Sequence, residues 1–212
     1  MSRLVAAIYD PFMRETERAC LRAWRRELLS TLSGPVLEVG AGTGANLALY
    51  PDAVRALTVC EPDAGMRAKL SAAVETTRAL NPSREVTVLD APAERLPFED
   101  ASVDAVVCTL VLCTVGDPRA ALGEMFRVMR PGARLHYIEH VAAYDNPARL
   151  RWQRRVEPLW RVVADGCHVT RDTGATIREA GFEVENERRE SVRKALPWVR
   201  PSVRGVAVKP AR

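Results

Sequence analysis

Short apolar runs alternate with longer amphipathic stretches along most of this chain. The longer stretches at 65–80 and 120–129 place apolar residues at helical spacing among charged ones, which predicts two helices. Five apolar runs of strand length predict buried strands, at residues 36–39, 56–60, 86–89, 103–112 and 134–140. Strands separated by helices in this rhythm are typical of crossover units, so we predict a mostly parallel sheet.

The two ends of the chain follow this alternation less regularly. Residues 15–32 carry an apolar helical face among arginines, and Gly34 and Pro35 end that helix, while a further helix is expected to open at Asn46. Beyond residue 143 the pattern indicates two helices and two closing antiparallel strands, at residues 150–164, 173–179, 184–190 and 203–208. The expected fold is α/β: a doubly wound, mostly parallel sheet of seven strands with helices on both faces.

Composition narrows the possible functions. The 212 residues suffice for one domain, and a hydrophobic share of 47% can fill one core. The net charge of +4 comes from 31 basic and 27 acidic residues that form no dense basic tract, so no nucleic-acid partner is expected. The three histidines and five cysteines lack ligand spacing, so we expect reduced, partly buried thiols and no metal. Nothing in the sequence predicts an oligomeric state.

Neither export nor membrane insertion is expected. The segment at residues 1–12 is too short in apolar length and too soon interrupted for a signal peptide. No stretch approaches the roughly 20 apolar residues that cross a bilayer. We therefore expect a cytoplasmic protein without a membrane span.

The most informative stretch is Glu38-Val-Gly40-Ala-Gly42-Thr-Gly44, which follows the first predicted strand. Glycines are needed where the backbone turns sharply from strand to helix and lies against a ligand. Glu61 ends the next strand, roughly 20 residues on, where a carboxylate grips a ribose diol. The pattern therefore predicts an adenosine cofactor, which the dinucleotide of a nicotinamide-dependent reductase would also satisfy.

Two features favour S-adenosylmethionine (SAM) over a dinucleotide. Glu38 supplies a carboxylate where the ammonium of a methionine moiety would lie, and it would be unfavourable beside a pyrophosphate. The second feature is a set of three motifs: Ala-Glu-Arg-Leu-Pro-Phe at 93–98, Ser-Val-Asp at 102–104 and Val-Met-Arg-Pro-Gly at 128–132. Together with the glycine loop, these resemble the class I SAM-dependent methyltransferases, which have a Rossmann-like fold.

That resemblance implies a role for each motif. In such enzymes the acid of the first strand and the glycine loop hold the methionine end, the next acid holds the ribose, and the loop after the third strand holds the adenine. The usual aspartate of that loop is replaced by Pro92, which leaves the adenine contact to its neighbours. Carried over to this chain, the expected cofactor-binding residues are Glu38, Gly40, Gly42, Gly44, Asn46, Glu61, Pro62, Ala93, Glu94 and Thr109.

Four later blocks, at 107–115, 139–143, 165–171 and 200–209, are similar to the thiol S-methyltransferases of the methyltransferase-like group. Those enzymes carry Ala-Gly-Glu where this chain has Pro-Ala-Glu at 92–94, and the animal members begin with a hydrophobic anchor that this sequence lacks. The resemblance implies a small-molecule thiol as acceptor, such as a reduced disulfide natural product, and a soluble bacterial type of enzyme. It divides the single domain 1–212 into a lid and helix (1–34), a SAM-binding core (35–140) and an acceptor-site region (141–212).

Two residues are catalytic candidates. A thiol has a pKa near 8.5, so a nearby base would increase its thiolate fraction. His140 ends the fifth strand at the edge where such sites form, although a histidine hydrogen-bonded to structure is an equal alternative. Tyr9 lies in a segment that resembles a lid over SAM, with a packing aromatic as the alternative. Three tryptophans are expected to line or back the acceptor pocket, with a place in the structural core as the alternative for at least one of them: Trp152, Trp160 and Trp198.

Three other functions remain open from the sequence. One is a SAM-dependent enzyme that methylates carbon, oxygen or nitrogen of another small metabolite. A nicotinamide-dependent reductase is the second, and it leaves the motifs at 93–98 and 128–132 unexplained. The third is a regulatory protein that binds SAM without turning it over.

Overall fold

The computed structural model describes the backbone of residues 3–211 and the side chains of residues 8–211. Its strands are β1 (Pro35–Val39), β2 (Ala56–Cys60), β3 (Glu85–Leu89), β4 (Val103–Thr109), β5 (Met129–His140), β6 (Glu183–Ser191) and β7 (Pro201–Val208). Its α-helices are α1 (Arg3–Thr16), α2 (Arg22–Leu29), α3 (Ala64–Leu80), α4 (Pro118–Val128), α5 (Pro147–Val163) and α6 (Thr173–Glu179). A π-helical segment, Glu17–Leu21, joins α1 to α2, and two short 3-10 turns lie at Leu47–Leu49 and Pro197–Val199.

All seven strands form one sheet in the order β3-β2-β1-β4-β5-β7-β6. The first five strands are parallel, and β7 pairs antiparallel with both β5 and β6. The strand order reverses between β1 and β4, which is the position where open α/β sheets bind ligands at their carboxyl edge. Val39 pairs with both Cys60 and Cys108, so β1, β2 and β4 end side by side there. The predicted seven-stranded, mostly parallel sheet is confirmed.

Alternate residues of the strands point to opposite faces of the sheet, and each face is covered by helices. On one face Leu37 and Val106 pack in a core cluster with Leu122 of α4 and Ile177 of α6. The other face carries Val36, Leu57 and Val107 against Leu70 and Val74 of α3 and Leu29 of α2. The expected helices on both faces are therefore confirmed.

Three boundary predictions are wrong. The first helix begins at Arg3 rather than at residue 15, and it continues through the π-helical segment to Leu29. The helix expected to open at Asn46 is only the turn Leu47–Leu49, since the chain becomes extended at Tyr50, directly before a proline. The strand expected over 103–112 ends at Thr109, because the chain turns at Leu110, whose φ is 61°.

Candidate active site

The glycine loop after β1 contains three glycines in the left-handed region of φ, of which Gly44, at φ +91°, would place a Cβ 2.8 Å from the Leu47 side chain. Gly40 has φ +67°, and a Cβ there would overlap the side chain of Val111, whose Cγ1 would lie 2.8 Å away. Gly42 has φ +58°, and a Cβ there would meet nothing within 4 Å. The loop is therefore packed against the turn after β4 on one side and borders open space at Gly42.

Glu61 lies directly beside that open space. One carboxylate oxygen, Oε2, accepts the N–H of Gly42 at 2.8 Å, and Oε1 accepts the N–H of Asp63 at 2.9 Å. Burial raises the pKa of Glu61 despite these two donors. A carboxylate fixed next to a glycine that borders open space has the character needed to accept hydrogen bonds from ribose hydroxyls. Pro62 follows it at the surface, where its carbonyl accepts from Arg67 at 2.9 Å.

Glu38 is almost fully buried, and both of its carboxylate oxygens are engaged within the chain. Asn46 donates its Nδ2–H to Oε1 at 2.8 Å, and Tyr50 donates its hydroxyl to Oε2 at 2.7 Å. Burial raises the pKa of Glu38, against the lowering effect of these two donors. The residue therefore ties β1 to the segment that follows the glycine loop and presents no free oxygen to the open side.

Arg25 of α2 completes this network and was not anticipated from the sequence. Its guanidinium donates to Asn46 Oδ1 at 3.0 Å and to Thr109 Oγ1 at 2.6 Å, and its Nε donates to Glu17 at 3.1 Å. Asn46 also donates to the Thr109 hydroxyl at 3.1 Å. The predicted residues Asn46 and Thr109 are thus joined, and a helix that precedes the sheet in sequence holds them together.

The loop after β3 contains the two residues expected near the adenine. Ala93 is buried in the core cluster that lies under α4. Glu94 turns toward the start of α4, where its Oε1 accepts the N–H groups of Gly116 at 3.0 Å and Asp117 at 3.4 Å. The Glu94 carboxylate therefore anchors this loop to the turn that precedes α4.

Helix α1 lies across the carboxyl edge of the sheet. Asp10 accepts a hydrogen bond from the Thr43 hydroxyl of the glycine loop at 2.6 Å and pairs with Lys69 of α3 at 2.9 Å. Burial raises the pKa of the neighbouring Tyr9 to about 12, with Arg25 opposing that rise. At neutral pH the Tyr9 phenol therefore keeps its proton.

The turn after β4 is organised by Glu139, a fully buried residue of β5. Its carboxylate accepts three successive backbone N–H groups, from Val111 at 2.9 Å, Leu112 at 3.0 Å and Cys113 at 3.1 Å. Burial raises the pKa of Glu139 to about 6 even though these donors lower it. Because Val111 packs on Gly40, this carboxylate fixes one wall of the glycine loop as well as the position of Cys113.

His140 follows at the end of β5 with its Nδ1 buried and without a partner among residues 8–211. Burial lowers the pKa of His140 to about 4, while a hydrogen bond with the Val199 backbone opposes the shift. The imidazole is therefore neutral at physiological pH, and Nδ1 can accept a hydrogen bond. His136, by contrast, bonds the Leu28 carbonyl at 3.0 Å and is part of the packed interior.

A cluster of apolar and sulfur-containing side chains packs near His140, and we call it the tryptophan–cysteine cluster: Cys113, Trp160, Ala164, Cys167, Val169, Ala195, Trp198 and Val199. Hydrogen bonding with Cys167 and burial raise the pKa of the Cys113 thiol. Trp160 and Trp198 meet edge to face at 5.7 Å, whereas Trp152 lies farther out and is about half exposed. All five cysteines of the chain are buried and free.

Unpartnered polar atoms gather at this cluster. Of five such buried side-chain atoms among the described residues, four lie in or next to the cluster: His140 Nδ1, Glu157 Oε2, Trp160 Nε1 and Trp198 Nε1. The other oxygen of Glu157 faces His168 Nδ1 at 3.4 Å. Buried polar groups normally have partners, so such a concentration indicates a place where a ligand or water supplies them.

The amino-acid sequence is similar to a known protein family and to several of its members. The family model described as a methyltransferase domain matches residues 37–137. Thiol S-methyltransferase TMT1B of Rattus norvegicus is 36% identical over 218 residues, covering 97% of this chain and 88% of that protein. The chain belongs to the class I SAM-dependent methyltransferases. The reductase interpretation is therefore wrong, and SAM is the cofactor.

Other relatives agree with this assignment. Thiol S-methyltransferase TMT1B of Homo sapiens is 40% identical over 195 residues, which are 87% of this chain and 78% of that protein. Among solved structures, the geranyl diphosphate C-methyltransferase of Streptomyces coelicolor A3(2) has a TM-score of 0.66 at 13% identity and covers 89% of this methyltransferase and 79% of that chain. At such identity the structural likeness supports the fold alone. Among the described residues no helix combines the length and apolar character that a membrane span requires.

Proposed function

We propose that this methyltransferase transfers the methyl group of SAM to the sulfur of a small-molecule thiol. The observation that carries the proposal is the extent of similarity to proteins named thiol S-methyltransferases. It covers 97% of the chain in the rat protein, whereas the general methyltransferase model ends at residue 137. The similarity therefore includes α5 and the segments that form the tryptophan–cysteine cluster, which is the part of the fold suited to hold an acceptor.

The glycine loop and Glu61 suit SAM as the cofactor. The open side of Gly42 leaves room for a ligand against the backbone, and the Glu61 carboxylate next to it can accept hydrogen bonds from both ribose hydroxyls. Glu38, Asn46 and Thr109 would act as a buried support that keeps this loop in place. SAM supplies a methyl group bonded to a positively charged sulfur, so attack by a thiolate forms a thioether and releases S-adenosylhomocysteine.

The acceptor thiol loses its proton in this reaction, and His140 is the residue we propose to hold its S–H group in place. Its neutral imidazole leaves Nδ1 without a partner, so this nitrogen can accept a hydrogen bond from an S–H group. A pKa of about 4 makes it a weak base, and a thiol with pKa near 8.5 is already partly ionised at neutral pH. His140 would therefore orient the thiol, whose proton passes to solvent, while the phenol of Tyr9 would help to close the site.

A second candidate acceptor is the carbon atom of a quinol-like ring. The demethylmenaquinone methyltransferase of Paenarthrobacter aurescens is 31% identical over 161 residues, which are 74% of this chain. That similarity is lower and less extensive than the similarity to the thiol enzymes. It nevertheless defines the acceptors against which the proposal must be tested, together with oxygen and nitrogen nucleophiles.

The deciding experiment measures transfer of labelled methyl from SAM to alkyl thiols, a reduced dithiol macrocycle, catechols, quinols and amines. We expect methylation of thiols only, with S-adenosylhomocysteine formed in equal amount. The Glu61→Ala variant serves as the control for cofactor-dependent turnover and should lose most of the activity. Transfer to carbon, oxygen or nitrogen with no thiol product would overturn the proposed acceptor while leaving the methyltransferase assignment intact.

A further inference from the structure

The outer face of α5 carries apolar side chains that the fold does not cover. Trp152, Leu159 and Val163 are spaced by seven and four residues, so they share one stripe of the helix. Leu159 is 72% exposed and Val163 62%, and Val162 beside them is 81% exposed. Single exposed apolar residues are common on protein surfaces, but a continuous stripe usually marks an interaction surface.

Positive charge lies beside this stripe. Four arginines of α5 are exposed, and none of them pairs with a carboxylate in the described part of the chain: Arg151, Arg154, Arg155 and Arg161. The only acidic residue of the helix, Glu157, is directed inward toward His168. Helices that lie at the membrane–water interface typically combine tryptophan, leucine and valine on one face with unpaired arginines beside them.

The inner face of the same helix builds the candidate acceptor region. Gln153 donates from Nε2 to the Val141 carbonyl at 3.1 Å and to the Trp198 carbonyl at 2.9 Å, and its Oε1 accepts the Ala143 N–H at 2.8 Å. Two turns later, Trp160 enters the tryptophan–cysteine cluster. A surface that engages the outer face of α5 would therefore lie one helix diameter from the acceptor region.

We propose that α5 docks this methyltransferase on the surface of an anionic lipid bilayer. The arginines would face lipid phosphates, while Leu159, Val162 and Val163 enter the boundary of the acyl chains. A second copy of the chain fits less well, because a symmetric contact would bring two sets of unpaired arginines together. Nucleic acid would satisfy the arginines but would leave the three aliphatic side chains in water.

Helix α1 carries exposed apolar side chains as well. It also lies at the carboxyl edge of the sheet, and its Ile8 and Phe12 side chains are 56% and 61% exposed. Docking through α5 would give an apolar acceptor dissolved in the bilayer a short route to the site. This inference concerns the location of the enzyme and does not depend on which atom of the acceptor is methylated.

The test is sedimentation of the full-length protein with vesicles of phosphatidylglycerol and phosphatidylcholine in equal parts, and with vesicles of phosphatidylcholine alone. We expect binding to the first vesicles that falls as salt is added, and little binding to the second. The double variant Leu159→Ser/Val163→Ser should bind at least about tenfold more weakly, since two aliphatic groups no longer enter the bilayer. Each arginine replaced by glutamine at 151, 154 or 155 should weaken binding about fivefold at low salt.

Leu80→Ser is the matched control, because Leu80 is 80% exposed at the far end of α3 and should not alter vesicle binding. Methyl transfer to a water-soluble acceptor should be the same in the double variant and in the wild type, which reports that the fold is intact. Absence of wild-type binding to anionic vesicles at low salt would overturn the proposal. Binding of the double variant to anionic vesicles as tight as that of the wild type would also overturn it. So would a concentration-dependent dimer of the wild type that the double variant does not form and that vesicles do not alter.

Discussion

Replacing Gly40 or Gly42 of the loop by alanine allows the effects on stability and on cofactor binding to be separated. Gly40→Ala and Gly42→Ala each add one methyl group at a residue with positive φ, which costs about 1–2 kcal/mol for an L side chain. At Gly40 the methyl group also meets Val111, and overpacking of this kind costs about 1–3 kcal/mol more. The expected loss in the free energy of unfolding is therefore about 2–5 kcal/mol for Gly40→Ala and about 1–2 kcal/mol for Gly42→Ala.

The order of the two variants should be reversed for SAM affinity, with Gly42→Ala the more affected. At Gly42 the new methyl group points into the open space that we assign to the cofactor, so a steric cost of about 1–3 kcal/mol weakens binding by about 10–100-fold. Urea unfolding gives the stability of each variant, and calorimetric titration with SAM gives the affinity. The double variant Gly40→Ala/Val111→Ala should recover at least about 1 kcal/mol relative to the sum of the single changes.

Two results would refute this reasoning. If Gly42→Ala binds SAM as tightly as the wild type, the open side of Gly42 does not receive the cofactor. If Gly42→Ala is destabilised more than Gly40→Ala, the packing of the loop against Val111 is not what we describe. Because both variants carry the same substitution, effects of alanine on the unfolded chain cancel in the comparison.

Three further predictions concern buried ionisable groups. Glu61→Ala should weaken SAM binding by about 10–100-fold, because hydrogen bonds to a charged group are lost. The nearby control Asp90→Asn should change the affinity less than about threefold. If Glu61→Ala and the wild type bind SAM equally in a titration, the role of Glu61 is contradicted. Arg25→Leu should lower the free energy of unfolding by about 3 kcal/mol, with Arg25→Lys recovering only part, as urea unfolding can check. His140 has its pKa lowered from 6.5 to about 4, so its contribution to stability is complete above pH 6.5 and is lost as the pH falls toward 4. Relative to His140→Gln, the wild type should lose about 2 kcal/mol by about pH 5, and a pH-independent difference in unfolding would contradict the burial of the ring.

The sheet and its connections could be predicted from the sequence because each buried strand is a short apolar run bounded by polar turns. The apolar run at 103–112 is three residues longer than the strand β4 that it contains, and the reason is physical. Leu110, Val111 and Leu112 are apolar like the strand before them, but they form a turn in which the Glu139 side chain accepts the N–H groups of Val111 and Leu112. Hydrophobic periodicity predicts which residues are buried, but it does not predict how their backbone groups are hydrogen-bonded.

The proposed cofactor end of the site could be named from the sequence because its residues lie in two compact motifs. Glu61 and the glycine loop meet as their spacing predicts, with the carboxylate bonded to the Gly42 N–H. The supporting residues were not recognisable, because their partners are distant in sequence: Arg25 reaches Thr109 across 84 positions. In the sequence it is one of several arginines in a helix, and only the packing of that helix on the sheet distinguishes it from the others.

Glu139 explains how the two ends of the site depend on each other. A carboxylate buried in a protein interior is unfavourable unless it is hydrogen-bonded, and here three consecutive backbone N–H groups of one turn provide the bonds. The first residue of that turn, Val111, packs against Gly40 of the glycine loop, and the third, Cys113, enters the tryptophan–cysteine cluster. A rigid turn of three residues therefore spans the distance between the proposed cofactor and acceptor regions. Because methyl transfer demands close alignment of donor and acceptor, we infer that this buried carboxylate positions both regions without touching either reactant.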